Sequence, residues 1–471
     1  MNGCLLLLVL VVLQGLTVIL LEFRYPSKTV AWLLVLFIFP ILGFIMYVLL
    51  GRRFAHGLQR RRRQKAEKAY EESGGTGESV DAAGSGRPEG DPRLLRLLAR
   101  LPGSRAVPGN DVRILTNAEE TYGAILEAME QARDHIHLEY YTVRDDGIGR
   151  VFLSLLERKA REGVRVRLLY DGIGSHTLSR SSLAKLSEAG AEIGCFLPPL
   201  LAFVDSRINY RNHRKLVVVD GRIGFLGGIN IGDEYLGKDP KLGFWRDTHM
   251  QLRGHAVREL QRTFLIDWAF VRREPLTGGG FFPEPDRAGS QWVQMITSGP
   301  DGRWDPILEA VVAAIHTARR RVLIATPYFS ADNGLLMALK LAALSGVEVT
   351  VLLPGRPDSR IVYCATLSYL KELLQAGVRF YRYQKGFLHA KVMVVDDSFA
   401  SVGTANMDMR SFYTNFEMNA VIFDRGTVDR LMKDFEDDLE NSEEIEREVF
   451  LARPRWQRGK ELLCRLISPL L

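Results

Sequence analysis

Two stretches of this chain repeat one another closely enough to dictate its architecture. Asn212 to Tyr235 (NHRKLVVVDGRIGFLGGINIGDEY) parallels Leu388 to Ser411 (LHAKVMVVDDSFASVGTANMDMRS). Two further pairs follow in the same order along the chain: Asp134 to Val143 parallels Arg320 to Ser330, and Gly163 to Gly172 parallels Gly346 to Gly355. Such a repeat implies two similar units in tandem, related by a pseudo-twofold axis, with a symmetric pair of motifs meeting where they join. Within each unit, apolar β-rich runs alternate with segments of helical period. That alternation predicts α/β halves, each built on a buried, partly parallel sheet.

Each repeat carries His-x-Lys, then four residues to Asp, then six more to Gly-x-x-Asn. In the first copy these are His213, Lys215, Asp220, Gly227 and Asn230; in the second, His389, Lys391, Asp396, Gly403 and Asn406. One His-x-Lys on a strand is most simply a satisfied polar pair. Two copies with identical spacing inside a larger repeat point instead to shared chemistry. Residues two apart on a strand face the same way, so each His is expected beside its Lys. Leu216 to Val219 and Val392 to Val395 are apolar, as a strand covered on both faces requires. Asp220 and Asp396 have the opposite parity and fall at the strand's end, where a structural, charge-pairing role comes before a direct chemical one.

The duplicated motif resembles that of the phospholipase D superfamily over nearly the whole body. By that resemblance the catalytic set is His213, Lys215, Asp220, His389, Lys391 and Asp396, with His213 as nucleophile and His389 as acid/base. Phosphodiester chemistry accounts for the residue types. A neutral imidazole attacks phosphorus and splits one hard displacement into two easier ones. A second imidazole protonates the leaving alkoxide and later deprotonates the incoming alcohol. The lysines, with Asn230 and Asn406 as phosphate-binding groups, offer donors to the oxygens where charge develops. Because the lysines supply the positive charge, no metal or other cofactor is called for. The superfamily often has Ser or Thr after the first Gly of the tail; Thr404 fits and Gly228 does not, so the first half lacks one hydroxyl contact to phosphate.

Each His also needs a carboxylate to hold its tautomer and ring angle. Asp247 and Glu417, at comparable distances downstream of their motifs, are the candidates. His135 and His137 share a strand face beside Glu139, and read as polar residues near the domain interface rather than metal ligands. His249 lines the site or merely packs. Tyr140, Tyr141, Tyr328 and Phe329 end strands, where they either touch substrate or, more commonly, form aromatic core.

The first fifty residues are of another kind. Cys4 to Leu21 and Val30 to Leu50 are apolar runs, and a bilayer core needs about 20 helical residues. They predict a transmembrane hairpin over 1–50, with helices near 3–21 and 30–50. Residues 51–70 form a basic juxtamembrane segment. The eight cations from Arg52 to Lys68, with the acid Glu67, contribute +7 against a chain total of +6. The remainder is therefore close to −1, which argues against a nucleic-acid partner. The cluster marks the cytoplasmic side and attracts anionic headgroups. Residues 71–92, rich in Gly, Ser, Glu, Asp and Pro, read as a flexible tether. The first half then runs over 93–285 (motif 207–234) and the second over 286–471 (motif 384–411), closing in an amphipathic tail. The four cysteines are scattered without a CxxC pair, so no disulfide framework or thiolate metal site is indicated.

Arg211 to Lys215, Asn406 to Phe412, the paired apolar runs leading into Gly51-Arg52-Arg53, and the basic, apolar end from Trp456 to Leu471 are similar to bacterial cardiolipin synthases. That resemblance implies an enzyme of the bacterial plasma membrane that transfers a phosphatidyl group from one phosphatidylglycerol to another and releases glycerol. A phospholipase D-type hydrolase or a phosphatidylserine synthase would use the same residues with another acceptor. A nuclease is disfavoured by the near-neutral body, and a non-catalytic scaffold by two intact motifs.

Overall fold

The computed structural model describes residues 2–22, 26–50, 61, 63–70, 87–103, 105–196, 210–276, 280–284, 288–302 and 304–468. The expected tether lies outside these residues from 71 to 86, as do the motif's first residues, 207–209. By residue 91 the chain is already structured, because Asp91 caps the helix Pro92–Leu98 by accepting from the Arg93 N–H.

The first half contributes seven strands: β1 (Val107–Thr116), β2 (His135–Tyr140), β3 (Arg165–Asp171), β4 (Glu192–Phe196), β5 (Lys215–Val219), β6 (Ile223–Gly227) and β7 (Thr248–Arg253). The second repeats them as β8 (Gln291–Ser298), β9 (Arg321–Ala325), β10 (Glu348–Pro354), β11 (Arg379–Tyr383), β12 (Val392–Val395), β13 (Phe399–Gly403) and β14 (Asn415–Phe423). The strand order runs β4-β3-β2-β5-β6-β7-β1, then β8-β14-β13-β12-β9-β10-β11. One half is thus the mirror order of the other, joined at an antiparallel β1–β8 seam where Val107 faces Val293. The outer strands β2–β3–β4 and β9–β10–β11 pair in parallel, and the motif hairpins β5–β6 and β12–β13 are antiparallel. This is the partly parallel α/β sheet the sequence implies, in two tandem halves.

Strand β5 is buried at every residue, and so is β12. Their Val-rich runs suit strands with helices on both faces, each buried aliphatic side chain contributing about 1.5–3 kcal/mol. The helices Val257–Arg272 and Arg425–Glu440 close a core drawn from both halves, including Leu260, Phe264, Val428 and Phe435. The helix Pro92–Leu98, expected at the head of the first half, packs instead on the second. Leu94 and Leu98 join the Ile307, Val311 and Leu335 cluster, and the Leu98 carbonyl accepts from Gln294 Nε2 at 3.0 Å.

Near the N-terminus the helix Asn2–Glu22 packs on Pro26–Ile38. The second apolar run, expected as one helix, is two: Pro26–Ile38 and Pro40–Leu50. Pro40 has no N–H and its ring crowds the preceding turn, which breaks the regular helix at Phe39. Among the described residues no helix is long and apolar enough to cross a membrane.

Candidate active site

Both motif histidines stand just ahead of their strands rather than within them. Their backbones are drawn off the sheet ladder by the opposite half. The short strand Arg211–Asn212 pairs in parallel with Asn415–Phe416, and the His213 N–H donates to the Phe416 carbonyl at 3.0 Å. Its counterpart Gly386–Leu388 pairs with Phe244–Arg246, and the His389 N–H donates to the Arg246 carbonyl at 2.7 Å. Lys215 and Lys391 then curl back, each ammonium donating to the carbonyl of its own motif histidine.

These exchanges put each histidine against the other half's carboxylate. His213 Nδ1 lies 2.9 and 3.0 Å from the two Glu417 carboxylate oxygens, and His389 Nδ1 lies 2.7 Å from Asp247 Oδ2. An ionised carboxylate only accepts, so each Nδ1 carries the proton and each Nε2 keeps its lone pair. Burial pushes Glu417 up, but His213 and Lys215 outweigh it and hold the carboxyl below its ordinary range. Asp247 is held low in the same way, by His389 and Lys391.

The imidazoles and ammoniums move the other way. Burial takes His213 down to about 4 against the pull of Glu417. Burial, with Lys391 beside it, takes His389 to about 3. Burial also brings Lys215 to about 7 and Lys391 to about 8, and each lysine's charge weighs on the other's histidine. Both imidazoles are therefore neutral near pH 7 in the empty site, with a basic nitrogen each. Tyr141 stands edge-on to His213 at 5.1 Å between ring centroids, with the Lys215 ammonium 5.6 Å over its ring. Tyr235 and Trp245 stand edge-on to His389 at 5.8 and 5.6 Å.

The asparagines are not equivalent. Asn230 Oδ1 accepts from the Thr142 N–H at 3.0 Å, and its amide donates to the Tyr235 hydroxyl. Asn406 keeps Oδ1 buried with no hydrogen-bond partner among the described residues. The residues after the two motif glycines also differ from expectation. The Thr404 hydroxyl donates to Glu417 Oε2, so it steadies the orienting carboxylate rather than waiting for phosphate. At the matching place a Cβ on Gly228 would lie 2.0 Å from Asp247 Oδ1, so glycine leaves room for the carboxylate itself.

Asp220 and Asp396 are not brought to the histidines. Five residues of strand, about 16 Å at 3.3 Å each, separate Lys215 from Asp220. They correct the expected charge pairing as well. Asp220 accepts three successive backbone N–H groups, from Arg133, Asp134 and His135, at 2.8–2.9 Å. Asp396 does the same for Arg319, Arg320 and Arg321 at 2.8–3.0 Å. Both adopt positive φ, 52° and 50°, which Asp tolerates better than most residues. Replacing either by alanine is expected to destabilise the fold by about 1–3 kcal/mol, read as a fall in Tm, with kcat per folded molecule retained.

Three other readings are decided by packing. His135 and His137 lie under the helix Val257–Arg272. His135 Nδ1 meets Asp134 and its Nε2 meets Gln261, while His137 Nδ1 accepts from Gln261 and its ring stacks on Phe264. Tyr140 and Phe329 are core, and the Tyr328 hydroxyl donates to Asp358. His249 is buried beside Gly227, with neither ring nitrogen partnered among the described residues.

The geometry is matched by kinship. Residues 125–268 and 311–439 match the family model described as cardiolipin synthase, PLD-like domain. Residues 5–52 match the phospholipase D-nuclease N-terminal model. The chain is 46% identical over 466 residues to cardiolipin synthase 2 of Bacillus anthracis, covering 96% of this chain and 89% of that one. It is 43% identical over 470 residues to the major cardiolipin synthase of Bacillus subtilis (strain 168), covering 98% of each. The crystal structure of phosphatidylserine synthase from Haemophilus influenzae Rd KW20 has the same fold, with a TM-score of 0.59 at 15% identity over 80% of this chain and 99% of that one. With two motif halves, exchanged carboxylates and near-full-length relatives, the chain belongs to the cardiolipin synthase family of phospholipase D-like enzymes.

Proposed function

We propose that this enzyme condenses two phosphatidylglycerols into cardiolipin and glycerol through a phosphatidyl-histidine. The observation that carries this reading is the pair of neutral, carboxylate-oriented imidazoles contributed by opposite halves. His213 Nε2 forms a bond to phosphorus while the P–O bond to glycerol breaks. His389, as imidazolium, gives its proton to the departing alkoxide. The arriving phosphodiester anion favours that imidazolium, so proton uptake accompanies binding. The terminal hydroxyl of the second phosphatidylglycerol then yields its proton to His389, its oxygen bonds phosphorus, and the N–P bond breaks. Lys215 and Lys391, with one N–H of Asn230 and the amide of Asn406, offset charge on the equatorial oxygens.

Liposome-reconstituted protein given labelled phosphatidylglycerol alone should produce cardiolipin and an equal amount of glycerol. Phosphatidic acid alone would make water the acceptor and the enzyme a hydrolase. A pH series isolates the first step when the donor carries a leaving group that needs no proton. At sub-saturating donor, where the rate reports the free enzyme, its burst should hold level from about 4 to about 7, the values of His213 and Lys215, because His213 is then neutral and both lysines are charged. It should fall above, as Lys215 and then Lys391, at about 8, lose their protons.

Membrane attachment completes the reading. The N-terminal helices turn Leu13, Leu20, Phe37 and Ile41 outward, which water penalises and lipid does not. A hairpin of two spans in a bacterial plasma membrane, with the body on the cytoplasmic side, accommodates them. The C-terminal helix Arg455–Ile467 exposes Trp456, Leu462, Leu463 and Leu466 on the same helix as the exposed Arg455 and Lys460, a pattern that suits an anionic lipid surface.

A further inference from the structure

The basic segment after the apolar helices does not face lipid throughout. Within helical residues 63–70, Arg63 is 7% exposed and forms ion pairs with Asp267 and, at 3.0 Å, with Asp301 of the body. Asp267 is fully buried, and its second oxygen pairs with Arg214, the residue between His213 and Lys215. Arg214 Nε donates to the Glu417 carbonyl at 3.2 Å. Both guanidiniums lie over the Phe416 ring, at 5.4 Å for Arg63 and 5.6 Å for Arg214. The Phe416 carbonyl is the one that holds the His213 backbone. Arg63 thus touches, through two residues, both the backbone that seats His213 and the residue whose carboxylate orients it.

We propose that Arg63 is a positioning residue of the His213 site, so that the segment joining the membrane helices to the body is also a part of the catalytic framework. Arg63 lies between the two segments matched by family models, 5–52 and 125–268. The charges around Asp267 favour it. Burial pushes Asp267 up, but Arg214 and Arg63 together outweigh it and keep it ionised. Burial, with Asp267 close by, raises Glu139 well above its ordinary value. Without Arg63, Asp301 loses that ion pair and Asp267 keeps only the Arg214 guanidinium, and a buried carboxylate left short of a partner draws Arg214 away from the Glu417 carbonyl.

The inference rests on the phosphatidyl-histidine reading and is tested on the full chain with the same activated donor. Arg63→Met is expected to lower the burst rate and kcat by about 10- to 100-fold with KM unchanged, as a small misplacement of the attacking group does. It should also move the acid limb away from that of the wild type, because the Glu417–His213 contact loosens. Arg63→Lys should recover part of the rate, since it restores charge without the guanidinium fork. Gln64→Ala, on the exposed side of the same helix, is the control that should match the wild type. A folded Arg63→Met protein with wild-type kcat and acid limb overturns the proposal. If that variant does not fold, Arg63→Lys decides: a lost rate at unchanged Tm supports it, and an unchanged rate and limb overturns it. A wild type that gives a burst but no cardiolipin sinks the synthase reading alone, because the Arg63 comparison is made on the burst.

Discussion

Replacing His213 by alanine is expected to lower cardiolipin formation by at least about 10⁴-fold, because the covalent route then has no attacking atom. The sharper result lies in comparing it with His389→Ala. Both variants should fail with phosphatidylglycerol, whose alkoxide leaves only when protonated. With the activated donor they should part. His389→Ala keeps the nucleophile and needs no acid, so it should release one leaving group per site in a burst and then stall as phosphatidyl-enzyme, detectable by mass on His213. His213→Ala should show no burst. The converse pattern would reverse the roles of the two histidines while leaving the two-step chemistry intact. Such a test is needed because the two sites are nearly symmetric: each imidazole has a carboxylate at Nδ1, a neighbouring lysine and a depressed pKa.

The second large effect is expected at the exchanged carboxylates. Glu417→Gln should cost about 10²–10⁴-fold in the burst, and Asp247→Asn a comparable factor in steady-state turnover. The amide is nearly isosteric, so the loss is not one of packing. An amide N–H turned toward Nδ1 would select the tautomer with its proton on Nε2, where the lone pair is needed. The two variants should separate by step. Glu417→Gln disables attack by His213, whereas Asp247→Asn leaves the burst with the activated donor intact and slows protonation of a poor leaving group. If Asp247→Asn instead removed the burst and Glu417→Gln spared it, His389 would be the attacking residue, because each carboxylate orients the imidazole it touches.

Much of this protein is legible without coordinates. The repeat predicts two α/β halves, and the strand order, mirrored about the β1–β8 seam, is that prediction in three dimensions. The His-x-Lys spacing points to the side chains proposed to react, and the two carboxylates proposed to orient them do lie within hydrogen-bond distance of the histidines. Local patterns carry this information because strand periodicity and motif spacing act within a few residues. The helix Pro92–Leu98 shows where that stops, since nothing in its sequence says which half its Leu94 and Leu98 will join.

The partnerships were decided by the tertiary structure. Glu417 is 204 residues from His213 and Asp247 is 142 from His389, and each crosses to the opposite half because short parallel strands exchange backbone hydrogen bonds at the junction. Asp220 and Asp396, inside the motif by spacing, bind backbone at the strands' far ends. Arg63, one of eight cations in a run that reads as headgroup-facing, is buried against Asp267. Sequence alone determined which residue types this chemistry has available and the two units that carry them. Which carboxylate meets which imidazole, and which cation is buried, depended on the packing of chain segments hundreds of residues apart, where neither period nor spacing leaves a trace.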